Sequence, residues 1–279
     1  LKDPFKISQP TALGLSGGRT SAYMLWRVLE ANGGWPVGED FEPVFANTGR
    51  EAEATLEFVR EISLRWSVPI RWVEYRPDGA GFEEVDFDTA SRNGEPFEAL
   101  IRKKKFLPNP VARFCTSDLK VIPTEKLLQS RGWAEWDNMV GFRADEPLRV
   151  AKIRQTPILP ESPGVERCVP LATAGTTKAD VRDFWAAQPF DLNLPIDFDG
   201  TTIDGNCDGC FLKSPFQRVS AMQRNPVMPI WWASMEAVTG GRFTKDGHSY
   251  AEMAKFAANQ QNMFDPTQQA IDCLCGETA

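Results

Sequence analysis

Residues 11–21 read Thr-Ala-Leu-Gly-Leu-Ser-Gly-Gly-Arg-Thr-Ser, and the chain runs straight on as Ala22-Tyr23-Met24-Leu25-Trp26-Arg27-Val28-Leu29. A short apolar run stops at Ser16-Gly17-Gly18, after which Ala22, Leu25, Trp26 and Leu29 recur at helical spacing. This predicts a strand, a glycine turn and a helix. Gly17 and Gly18 let the backbone bend sharply and approach a ligand, while Ser16, Thr20 and Ser21 put hydroxyls beside the unpaired amides of a helix start. Such a corner suits an anion, phosphate above all, although a plain structural turn is the competing explanation. The Walker pattern Gly-x-x-x-x-Gly-Lys-Ser/Thr is absent, as is the dinucleotide turn Gly-x-Gly-x-x-Gly.

The same rhythm continues. Glu42-Pro43-Val44-Phe45-Ala46 predicts a second strand that ends in the polar turn Asn47-Thr48-Gly49-Arg50-Glu51. A helix is expected over residues 52–66, with Leu56, Val59, Ile62 and Trp66 near one face, and a third strand over residues 69–75. Strands alternating with helices over short links predict a parallel α/β sheet, whose ligands sit outside the carboxyl ends of the strands. Further along, residues 83–87 suggest a short strand and residues 97–105 a helix ending in Arg102-Lys103-Lys104-Lys105. A helix started by Pro123 should run to about Ser130, followed by a strand over residues 136–142. Residues 155–170 carry several prolines and are expected to be irregular. Thr176 or Thr177 can cap a helix to about Trp185, and three more helices are expected over residues 216–224, 230–238 and 248–259. We divide the chain into an α/β unit over residues 1–195 and a helical, cysteine-bearing segment over residues 196–279 packed on it.

The formal charge of −7 disfavours a generic nucleic-acid coat, and no apolar run is long enough to span a bilayer. No signal peptide opens the sequence, so a cytoplasmic protein without a membrane partner is expected. Six cysteines, at 115, 168, 207, 210, 273 and 275, argue in such a chain for metal or redox use rather than a disulfide scaffold. Asn206-Cys207-Asp208-Gly209-Cys210 sets two thiols on one tight turn, open to a zinc knuckle, a dithiol or half of an iron–sulfur site. Cys168, beside Val169-Pro170-Leu171, is simplest as a buried small apolar residue.

Ser16-Gly17-Gly18-Arg19-Thr20-Ser21 resembles the PP-loop, Ser-Gly-Gly-x-Asp-Ser, of N-type ATP pyrophosphatases and of the phosphoadenosine phosphosulfate (PAPS) reductase family, with Thr20 in place of the usual Asp. The resemblance extends to Asn47-Thr48-Gly49, where relatives have Asp-Thr-Gly, and to Phe114-Cys115-Thr116-Ser117-Asp118-Leu119-Lys120-Val121-Ile122-Pro123. It also takes in Gly141-Phe142-Arg143-Ala144-Asp145-Glu146, Thr177-Lys178-Ala179-Asp180-Val181 and residues 206–213. In order along one chain, these motifs identify the sequence as similar to phage and prophage members of that family. The resemblance implies a twisted parallel sheet flanked by helices, of the adenine nucleotide alpha hydrolase-like, Rossmann-like kind.

It also implies a site. An adenine nucleotide (ATP, adenylylsulfate or PAPS) would bind at Ser16, Gly17, Gly18, Arg19, Thr20, Ser21, Asn47, Thr48 and Gly49, with Mg²⁺ as an accompanying ion. Thr20 and Asn47 each remove a carboxylate that helps place Mg²⁺ in relatives, which weighs against metal-assisted ATP cleavage. Cys115, Cys207 and Cys210, with either Cys273 or Cys275, would hold a 4Fe–4S cluster, zinc being the alternative. Three functions are compatible with this set. In a sulfonucleotide reductase, Arg19, Lys120 and Arg143 neutralise the phosphosulfate, Cys275 or Cys273 attacks sulfur, and thioredoxin or glutaredoxin resolves the product. In an ATP-dependent adenylylating sulfurtransferase, tRNA or DNA is the acceptor, held by Arg102, Lys103, Lys104 and Lys105 with Arg149, Lys152 and Arg154. In a non-catalytic nucleotide-binding module, the cluster only staples the C-terminal segment in place. A homo-oligomer is compatible with all three.

Overall fold

The computed structural model describes residues 3–38, 40–196, 202–244 and 247–259. Its centre is a seven-stranded sheet in the order β4-β3-β2-β1-β5-β7-β6. Strands β1 (Thr11–Leu15), β2 (Phe41–Asn47), β3 (Arg71–Tyr75), β5 (Trp136–Met139) and β7 (Ser162–Cys168) run parallel. The edge strands β4 (Phe82–Val85) and β6 (Ile158–Leu159) pair antiparallel to β3 and β7. The fold is therefore α/β with a mostly parallel sheet. From β1 the chain builds outward through β2 and β3, then returns to β5 on the other side of β1. The strand order reverses between β1 and β5, which opens a crevice at their carboxyl ends.

Helices cover the sheet because their apolar stripes match its faces. In α1 (Arg19–Asn32), Ala22, Leu25, Val28 and Leu29 are buried, and Gly33 stops the helix in the left-handed conformation, its amide reaching the Glu30 carbonyl and the Gly34 amide the Leu29 carbonyl. In α2 (Glu53–Arg65), Leu56, Phe58, Val59 and Ile62 pack into the same core. Helix α3 (Glu95–Lys104) follows β4. Its basic last turn is engaged locally, Arg102 with Glu98 and Lys104 with Asp118.

Two segments depart from expectation. The helix expected to begin at Pro123 begins earlier: α4 (Phe114–Thr116) passes through a wider π turn (Ser117–Val121) into α5 (Ile122–Ser130). Proline has no N–H and its ring collides with the carbonyl four residues back, here Leu119, and the wider turn lies over that residue. Residues 155–170 are ordered, not irregular, supplying β6 and the interior strand β7. Gly164 admits this strand, since a Cβ there would lie 2.4 Å from the Ala134 carbonyl oxygen.

Beyond β5 come α6 (Pro147–Gln155), α7 (Pro170–Thr173) and α8 (Lys178–Ala186). Thr177 caps α8 in a reciprocal box with Asp180, an arrangement worth about 1 kcal/mol. Ser214 and Gln217 do the same for α9 (Pro215–Arg224), which is followed by α10 (Met228–Thr239) and α11 (Tyr250–Asn259). These last three helices share a second core with α3 and the π turn, where Trp232, Phe243 and Tyr250 pack against one another. No helix among the described residues is long and apolar enough to cross a membrane.

Candidate functional site

At the end of β1 the backbone turns through Gly17, whose φ of +78° lies in the left-handed region. A Cβ there would come within 2.4 Å of Thr55 Cγ2, so α2 itself leaves room only for glycine. Ser21 braces the turn from inside, its hydroxyl donating to the Gly18 carbonyl at 3.1 Å and accepting the Ser16 N–H at 3.1 Å. Gly18 is the N-cap of α1 and offers no side chain to the first amides, and no acidic residue stands in the first turn. The helix start therefore keeps its partial positive charge for a ligand. Arg19 is held by Asp191 through two bonds, at 2.7 and 2.5 Å, while its carbonyl accepts the Trp185 indole N–H.

Across the crevice, the chain leaving β5 brings Gly141 against Ser21 and then Arg143 to the corner. Asp145 accepts from Arg143 Nε at 3.0 Å, and Glu146 accepts the Arg143 backbone N–H at 3.0 Å. So oriented, Arg143 Nη1 donates to the Thr20 hydroxyl at 3.1 Å. Thr20 thus faces a guanidinium.

The turn after β2 is organised differently. Asn47 is 0% exposed, and its amide donates to Glu74 Oε1 at 2.6 Å and to the Ser91 carbonyl at 2.9 Å, while Oδ1 accepts the Gly49 N–H. Thr48 grips Glu51 through its N–H at 2.8 Å and its hydroxyl at 2.9 and 3.0 Å. Asn47, Thr48 and Gly49 therefore shape the loop that carries Glu51, a residue that sequence reasoning quoted but gave no role. The available signal was a carboxylate just past a strand end.

Behind Glu51, a cavity is lined by Cys115, Cys207 and Cys210 together with Thr48, Thr116 and Lys120, and closed by Phe97, Leu119, Phe211 and Trp232, Glu51 touching two of its lining residues. Glu51 Oε1 lies 3.7 Å from Cys207 Sγ and 3.8 Å from Lys120 Nζ. Burial pushes the Cys115 thiol above its ordinary range, against the opposing pull of Lys120 and Arg113. The structure thus gathers the three expected thiols from positions far apart in the chain. Thiols are soft donors, the chemical type that a thiophilic metal or an iron–sulfur group takes. Among the described residues, however, no three His, Cys, Asp or Glu side chains stand close enough to enclose a metal ion. Cys273 and Cys275 lie outside the described residues. Cys168 is elsewhere, at the end of β7, where burial pushes its thiol up to about 12 and its Sγ approaches the Asn138 carbonyl.

The cysteine turn is sewn to both loops. Asn206 donates from its amide to the Ser16 carbonyl at 2.6 Å, and its own carbonyl accepts the Ala52 N–H at 2.9 Å. Cys207 forms an antiparallel bridge with Glu51, and the Asp208 N–H reaches the Arg50 carbonyl. Arg50 pairs with Asp208 through two bonds at 3.1 and 2.5 Å and lies over the Trp231 ring. Burial pushes the Asp208 carboxyl up to about 6 although Arg50 pulls it down. Asn206 is the second contributor missed in the sequence, where it reads only as the residue before a CxxC.

No family model matches the chain. A crystal structure of phosphoadenylyl-sulfate (PAPS) reductase from Candida auris, in complex with phosphate, is similar over 66% of this chain and 76% of that one. Its TM-score is 0.40 and the sequences are 15% identical. The uncharacterized nin region protein ORF290 of Escherichia phage lambda is 32% identical over 245 residues, covering 85% of this chain and 76% of the phage protein. With that identity and coverage, the chain belongs to the family of the phage lambda nin region protein ORF290.

Proposed function

We propose that this protein is a PAPS reductase-like enzyme that binds an adenine nucleotide at residues 16–21 and reduces a sulfonucleotide, adenylylsulfate or PAPS, to sulfite. The observation that carries the proposal is the Asn206 bond to Ser16, which builds the thiol-bearing turn directly onto the anion corner. A group bound at one is presented to the other.

The chain's own residues divide the work. The amides at the start of α1 and the Arg143 guanidinium receive the phosphate and sulfate oxygens, and Arg143 is already aimed by Asp145 and Glu146. With Thr20 neutral, the corner favours a dianion without a bridging metal. A thiolate from Cys273 or Cys275 would attack sulfur, forming a sulfur–sulfur bond as the nucleotide leaves with its phosphate. A thioredoxin or glutaredoxin dithiol then cleaves that bond, is oxidised to its disulfide and releases sulfite. Cys115, Cys207, Cys210 and the other tail cysteine would hold a 4Fe–4S cluster, which would supply a charged, polarisable group.

Anaerobic purification followed by a sulfite-release assay with adenylylsulfate or PAPS and thioredoxin tests this. Brown protein that releases sulfite, with activity lost in Cys275→Ser or Cys273→Ser, is the expected result. Colourless, zinc-bearing protein that releases no sulfite would overturn it. Pyrophosphate release from ATP dependent on tRNA or DNA would replace it with the sulfurtransferase.

A further inference from the structure

The side chain of Asn206 and the thiol of Cys207 belong to consecutive residues but serve different sites. The Asn206 amide meets the anion corner directly: it donates to the Ser16 carbonyl at 2.6 Å, and its terminal atoms occupy the space beside Gly18, 3.5–3.6 Å from where a Cβ would stand. One peptide further on, Cys207 is bridged to Glu51 and lines the thiol cavity.

The turn has little freedom on its other side. Gly209 adopts φ +58°, and a Cβ there would meet Met228 Sδ at 2.3 Å and Trp232 Nε1 at 2.9 Å. The Tyr250 hydroxyl holds the Gly209 carbonyl at 2.5 Å. A group that draws Cys207 and Cys210 together therefore cannot be accommodated by moving the turn into α10 and α11. The side left to yield is that of Asn206, which is bonded to Ala52, and of Asp208, which is bonded to Arg50, both on the loop after β2.

We infer that Asn206 couples the two sites, so that filling the thiol cavity sets the shape of the anion corner and tightens nucleotide binding, and nucleotide in turn tightens the thiol site. The inference rests on the nucleotide and thiol-ligand roles proposed above. Linkage makes the effect reciprocal, and a coupling at the lower end of the ordinary range corresponds to about a five- to tenfold change in affinity.

The experiment uses the full chain, reduced, in two states: metal-free, and loaded with one equivalent of zinc and freed of excess. Titration calorimetry with adenosine diphosphate gives Kd for each state of the wild type and of Asn206→Ala. The expected result is Kd about five- to tenfold lower in zinc-loaded wild type, with the two states of Asn206→Ala equal within about twofold. Equal Kd in both wild-type states would overturn the coupling while leaving nucleotide binding intact. A difference that survives in Asn206→Ala would overturn Asn206 as its carrier. Failure to bind adenosine diphosphate in either state, or failure to retain zinc, would overturn the proposed site and the coupling together. Should Asn206→Ala not fold, hydrogen exchange of the amides of residues 16–21 in wild type decides. Slowing on zinc loading supports the coupling, and unchanged exchange overturns it.

Discussion

Glu74 explains why position 47 takes an amide and an acid does not fit. Asn47→Asp replaces the amide that donates to Glu74 Oε1 at 2.6 Å and to the Ser91 carbonyl at 2.9 Å with a carboxyl that, when ionised, donates to neither. Two carboxylates at that distance in a buried site do not both ionise, so the introduced group keeps its proton well above its ordinary range. Raising it by about two units costs about 2.7 kcal/mol at neutral pH, and the lost bond to Ser91 adds about 1 kcal/mol. The sum is about 4 kcal/mol. With an unfolding entropy of about 2.1 cal/mol/K per residue, that lowers the melting temperature of a chain of this length by about 7 °C. The sign with pH follows from linkage. An acid whose folded value exceeds its unfolded one lowers stability as pH rises, so the deficit is largest near pH 8 and shrinks toward about pH 5. Thermal unfolding of wild type and variant by circular dichroism across that range reads both quantities. Adding Glu74→Gln should recover most of the loss at pH 8. A deficit below about 2 °C at pH 8, or one that is the same at pH 5, would refute the account of this buried pair.

Gly17→Ala puts a methyl against buried Thr55 at a left-handed φ and should destabilise by about 2–4 kcal/mol, with loss of adenosine diphosphate binding; a variant with wild-type melting and affinity would contradict the close approach seen here. Arg143→Ala should weaken adenosine diphosphate binding about tenfold while leaving the melting temperature within a few degrees, as calorimetry and a melt can show. The Asp208 carboxyl, raised to about 6, makes stability fall as pH rises from about 4 to about 6. Asp208→Asn should flatten that slope in denaturant midpoints measured across the window, and an unchanged slope would assign it to other groups.

The sequence shows the core of this fold because its signals there are local. The glycine corner, the buried stripes of α1 and α2 and the capping residue Thr177 each announce themselves within a few positions, and the structure has them in place. Strand β7 is invisible for the opposite reason. Its residues Ser-Pro-Gly-Val-Glu-Arg-Cys show no alternation, Val165 alone among them falls in the core, and the strand exists because β5 and β6 pair with it from both sides. The helix through Phe114 was hidden by Pro123, a residue that often starts a helix and here sits just past a π turn. At the candidate site, Cys115, Cys207 and Cys210 could be picked out by type. The partners that arrange them, Glu51 and Asn206, could not, because an acid or an amide on a polar loop gains meaning only from what the fold sets opposite it.

The bond between Asn206 and Ser16 closes over 190 residues of chain. At ribosomal rates of about 5–20 residues per second, about 10–40 seconds separate the emergence of its two ends. During that interval the Ser16 carbonyl, the Ala52 amide and the Arg50 guanidinium wait for partners that have not been made. The nascent α/β half is born with an unfinished corner, and its completion is timed by the arrival of the cysteine turn. The contact between Ser16 and Asn206 therefore forms only once some three quarters of the chain has been made.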